Sequence, residues 1–160
     1  MNKEMEMFKA EGFEGFIRVA ELRNNTNVVP SEGGVYIVIR DSRGAPVFLG
    51  EGTGTPDERK SEPLNKPIPF LKANYVNEST IVYIGKGDSL SKRIRQLLLF
   101  GAGKYRGHWG GRILWQLADA EELLIAWRIT SGLNPRDVEK MMFREYENKY
   151  GRLPYANLMH

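Results

Sequence analysis

The sequence has no cysteine. That excludes disulfides, thiolate metal ligation and a cysteine nucleophile, and it suits a reducing compartment, so a cytoplasmic location is expected. No apolar run is long enough to span a bilayer, and no membrane association is expected. The opening MNKEMEMFKAEGFEG mixes charges without an apolar stretch and does not read as a signal peptide. HExxH, a nucleophile elbow and a dinucleotide fingerprint are all missing, and GAGKYRG lacks P-loop spacing. There is no internal repeat. Net charge is low as well: 23 Lys and Arg against 20 Asp and Glu give +3.

What remains is an ordinary globular composition, 41% hydrophobic and 27% charged over 160 residues, enough for one domain with a core. The cations are unevenly spread. From Lys86 to Arg112 there are seven Lys or Arg and one acid, Asp88. A basic block confined to one stretch points to an anionic partner.

Two β-rich runs stand out, GVYIVIR (Gly34–Arg40) and STIVYIG (Ser79–Gly85). ELLIAWRI (Glu122–Ile129) reads as a third strand, apolar enough to be central. APVFLG (Ala45–Gly50) could add a short strand, and Phe13–Leu22 fits either a strand or a helix. Residues 50–69 are rich in Gly, Pro and charge and read as a long flexible loop rather than a phosphate-binding one. Leu90, Ile94, Leu97 and Leu98 recur on one helical face, capped by Asp88 or Ser89. A final helix starts at Asn134 with Pro135 at its first position and stops at Gly151. This order predicts an α+β fold, a small antiparallel sheet of three strands flanked by helices. Residues 1–33 would be an N-terminal extension and 41–78 an insertion between the first two core strands.

Several residues could carry chemistry. Tyr36 and Tyr83 lie on strands that are natural neighbours, so their phenols could meet. A phenol can pass a proton if a cation stabilises its anion; otherwise each is an amphipathic core aromatic. Arg93 is flanked by Leu90 and Ile94 and starts near the buried face, from which it could reach a phosphate at the strand end beside Lys86. Lys92 and Arg95 suit a solvated face better. Glu139 shares a helical stripe with Met142, Phe143, Tyr146 and Tyr150, where a carboxylate needs a metal or an arginine as partner. Glu145 on the same helix stays open as the alternative. His108 and Arg112 bracket HWGGR, whose glycines allow close approach of backbone. The histidine could be a base or a phosphate donor, or part of a turn over Trp109.

Taken in order, GVY (34–36) and YIG (83–85) resemble the two signature tripeptides of the GIY-YIG nuclease superfamily. KGDSLSKRIRQ resembles that family's first helix, with Arg93 at the place of its arginine. VEKMMFREYENKYGRLPYANL is similar to its closing glutamate and asparagine, here Glu139 and Asn157. The resemblance covers most of Gly34 to Asn157. It implies a metal-dependent endonuclease that hydrolyses DNA phosphodiesters, or a non-catalytic nucleic-acid-binding module on the same fold. It implies Mg²⁺ or Mn²⁺ held by Glu139 (alternatively Glu145), and Tyr36 helping to deprotonate the attacking water. Arg93 would neutralise the phosphate, with Tyr83 and Lys86 in support, and Asn157 would fix the geometry. Lys86, Lys92, His108 and Arg112 are the expected substrate contacts. Sequence specificity would come from the insertion, the 101–112 loop, a partner protein or a second copy in a homodimer.

Overall fold

A computed structural model describes residues 2–158. Helix α1 (Lys3–Ala10) is capped by the Asn2 side chain, which accepts from the Met5 amide. Strand β1 (Glu14–Arg18) runs straight into a one-turn helix α2 (Val19–Leu22). Strand β2 (Gly34–Ile39), helix α3 (Ile68–Asn74), strand β3 (Ile81–Gly87) and helix α4 (Leu90–Gly101) follow. A 3-10 stretch (Trp109–Gln116), strand β4 (Leu124–Ile129) and helix α5 (Pro135–Tyr150) complete the fold.

The architecture is α+β, and among the described residues the sheet has four strands, not three. Its order is β1-β4-β2-β3, antiparallel throughout. The added strand comes from the stretch that reads as either strand or helix, and it is both in turn. Gly15 and Phe16 take positive φ (97° and 55°) and form a bulge, so the period-2 signal is broken. A Cβ at Gly15 would lie 2.6 Å from the Trp127 ring, so that ring packs on bare backbone. The expected strand at Ala45–Gly50 reduces to one bridge, Phe48 with Leu117.

Every residue of β2 is buried, because helices cover both faces of the sheet. Tyr36 and Val38 join a layer with Leu90, Ile94 and Trp115. Val35, Ile37 and Ile39 join a second layer with Met5, Met142, Phe143 and Tyr146. Each fully buried large aliphatic contributes about 1.5–3 kcal/mol. The leucine stripe of α4 is buried as its spacing predicts, and Ser89 is the cap. Asn134 and the left-handed Gly151 bound α5 as expected.

The segment between β2 and β3 is packed, not a free flexible loop. The Gln116 side chain, fully buried, donates to the Leu49 and Lys66 carbonyls and accepts from the Lys66 amide at 2.9–3.0 Å. Leu71 of α3 is buried in the first layer. These anchors are scattered or lie elsewhere in the chain, so local composition conceals them. Across the outer edge of β3 lies the segment after α5. Ala156 donates to the Val82 carbonyl, and the Asn157 amide both accepts from and donates to the Ile84 backbone, at 3.0 and 2.9 Å. Among the described residues no helix is long and apolar enough to cross a membrane.

Candidate active site

The β2–β3 register sets Tyr36 opposite Gly85 and Val38 opposite Tyr83. Both phenols therefore project from one face of the sheet. A Cβ at Gly85 would sit 2.3 Å from the end of the Tyr36 ring, so glycine at this position is what lets that ring lie across β3. The two tyrosine rings are 6.1 Å apart and tilted by 39°.

His108 closes the group from the loop after α4. Its Nε2 lies 2.7 Å from the Tyr36 hydroxyl, and its ring centre is 5.5 Å from that of Tyr83. Gly111 makes room for it: a Cβ there would approach the imidazole to 2.9 Å. Its Nδ1 is buried and has no hydrogen-bond partner among the described residues.

Arg93, one turn into α4, comes over the strand end beside Gly87, whose missing Cβ would meet the Arg93 Cβ at 2.7 Å. Its Nη1 donates to Gln96 Oε1 (3.0 Å) and to the Gly107 carbonyl (2.9 Å). Together with Asp88, Ser89, Lys92 and Gln96, Arg93 lines a surface cavity of about 390 Å³. Glu139, half-buried near the start of α5, lies close enough for its charge to act on both phenols. Glu145 does not reach them. It is exposed and lines a separate cavity of about 140 Å³ between α1 and α5, beside Glu4 and Tyr150.

Burial dominates the electrostatics. It pushes the Tyr36 phenol well above its usual range, with Tyr83 and Glu139 adding to the rise and Arg93 opposing it. Burial also lifts Tyr83 to about 12, against the pull of Arg93. His108 is lowered to about 3, by burial first and then by the Arg93 charge. At neutral pH both phenols and the imidazole are therefore neutral.

The other expected contacts separate. Lys92 is exposed beside Arg93. Lys86 is exposed, but strand alternation puts it on the opposite sheet face from Tyr83. Arg112 does not face the site. It is buried, donates to the Pro63 carbonyl and to Glu62, and stacks 4.8 Å over Trp109. Its place in the 3-10 stretch turns it towards the insertion, where it acts as a tie. Asn157 uses its amide on β3 between Tyr83 and Gly85, so it positions the strand. Gln96, which holds Arg93, was not expected, although its i+3 spacing was there to read.

Among the described residues no group of three or more His, Cys, Asp or Glu is arranged to hold a metal. Magnesium commonly takes one or two protein carboxylates and completes its shell with water and substrate phosphate. A single half-buried carboxylate such as Glu139 fits that donor set. No family model, curated protein or solved structure matches the chain.

Proposed function

We propose that this chain is a GIY-YIG-like endonuclease that hydrolyses DNA phosphodiester bonds with one Mg²⁺ or Mn²⁺. The observation that carries the reading is the convergence of Tyr36, Tyr83 and His108 around the 2.7 Å Tyr36–His108 contact, with the charges of Arg93 and Glu139 acting on the two phenols.

In the tautomer protonated at Nδ1, the Tyr36 hydroxyl donates to His108 Nε2. The Tyr36 oxygen is the candidate acceptor for the attacking water's proton, and the Arg93 charge, which already opposes the rise in both phenols, would offset the negative charge that develops there. Arg93 exchanges the Gly107 carbonyl for phosphate oxygens and gains charge-assisted hydrogen bonds as negative charge develops. Glu139 would hold the metal ion, which when bound supplies Lewis-acid stabilisation of that charge. Tyr83 and Gly85 keep the Tyr36 ring in place, and Asn157 holds their strand. Lys92 flanks the opening. Specificity would come from the insertion, a partner protein or a second copy.

One observation favours a second reading. Tyr36 and His108 have no exposed surface, which suits a nucleic-acid-binding module that does no chemistry. A plasmid-nicking assay with Mg²⁺ or Mn²⁺ separates the two. For the nuclease, wild type nicks, and Glu139→Gln, Arg93→Ala and Tyr36→Phe each lose about 10²-fold or more. Equal nicking by all four proteins overturns the enzyme reading, and retained DNA binding with no nicking by any of them supports the module.

A further inference from the structure

The 41–78 insertion and the loop after α4 meet in a second opening that the site described above does not use. It is a wide groove of about 530 Å³ lined by Thr55, Arg59, Lys104, Tyr105, Arg106 and Gly107. Thr55 joins the two segments: its hydroxyl donates to the Phe100 carbonyl at the end of α4 and accepts from the Tyr105 amide. The Asp57 carboxylate lies buried beneath. It accepts from Arg59 Nε and Nη2 at 2.9 Å and stands 3.9 Å from Arg106 Nη1. Paired with Arg59, this carboxyl is held well below the usual range, so it stays charged and keeps one guanidinium fixed and a second nearby. The arginine side chains remain 69% and 55% exposed despite that anchor. Lys104 and Tyr105 are exposed between them.

Three cations above one buried acid leave the groove net positive, and Tyr105 adds an aromatic surface. Cations that follow a backbone, combined with an aromatic face, are the chemistry of a nucleic-acid strand groove. An acidic peptide would use the cations but not the stacking face. The groove is tied to the proposed site by one hydrogen bond, because the Gly107 carbonyl at its rim is a group that holds Arg93. We infer that this groove binds the sugar–phosphate backbone of the strand flanking the scissile bond. The inference rests on the nuclease reading for the position of that bond. The insertion would then be a backbone clamp, and the bound strand would touch the loop that restrains Arg93.

The test uses the full chain and a short labelled DNA duplex, with binding followed by fluorescence anisotropy over a salt series. Lys104→Ala/Arg106→Ala is the main variant, since neither side chain accounts for a close bond within the fold. Arg59→Lys keeps a charge beside Asp57 and guards against misfolding. Lys149→Ala, beside the α1–α5 cavity, is the control. The double variant is expected to weaken binding about equally for unrelated sequences and to reduce the log–log salt slope by about 2, near 1 per lost phosphate contact. The control should keep the wild-type slope. Wild-type slope in the double variant overturns the inference, as does absence of low-salt binding by wild type. Nicking assays on the same proteins keep the two readings apart. Loss of slope in the double variant with no nicking by wild type upholds the groove and removes the nuclease. Glu139-dependent nicking with an unchanged slope in the double variant does the reverse.

Discussion

His108 meets Tyr36 at 2.7 Å and packs beside Tyr83, and burial together with the nearby Arg93 charge keeps the imidazole neutral. An unfolded histidine takes up a proton near pH 6.5, whereas the folded one waits until about 3. Between those values the unfolded chain binds a proton that the native protein refuses. This contribution to stability is whole above about pH 6.5 and is lost as pH falls towards 3, with a limiting slope of about 1.4 kcal/mol per pH unit. His108→Gln should remove that slope, so its melting temperature should fall less than wild type's on acidification. Parallel curves for the two proteins would show that His108 titrates normally. At this scale much was legible in the sequence. Helical phase favours Glu139 over Glu145, and of the two it is Glu139 whose charge acts on the phenols, while Glu145 lines the separate α1–α5 cavity. The Tyr36–His108 contact was not legible, because 72 residues of chain separate the partners and neither carries a periodic signal of the other.

Elements impose a second kind of control, through side chains that take the place of backbone. Asn157 acts as a missing strand: its amide satisfies both the N–H and the C=O of Ile84 on the outer edge of β3. Asn157→Ala should leave two polar groups of a buried strand without protein partners, at about 1–3 kcal/mol each before any water replaces the amide. Urea unfolding would report the lost stability. Hydrogen exchange should show faster loss of protection at the Ile84 amide than at Ile37 in the adjoining strand, and unchanged exchange at Ile84 would refute the clamp. Helices α4 and α5 could be read to within their caps, because apolar phase and cap residues agree there. Strand β1 and the packed insertion could not. The bulge at Phe16 breaks one pattern, and the insertion is anchored by Gln116 and Arg112, which lie far along the chain.

For the whole molecule, the two apolar layers share one sheet. Tyr36 and Trp127 face one layer, and Ile37 and Ala126 the other, from the same two strands. Loosening either layer therefore disturbs the support of both, and unfolding is expected in one step. Fluorescence from buried Trp115 and Trp127 should follow the same urea curve as far-ultraviolet circular dichroism. Leu90→Ala should shift both curves together by about 2–5 kcal/mol. Two separated transitions would mean that the layers fold independently.

Sheet order has a consequence for how the protein is made. The ribosome delivers β1, β2 and β3 before β4, yet β4 is the strand that sits between β1 and β2. Until Leu124–Ile129 emerges, Gly34–Ile39 can pair on one side at most, and its apolar edge stays open to whatever is nearby. A nascent chain stalled ahead of Leu124 would be a natural client for a holdase chaperone and prone to tangle with its neighbours on a polysome.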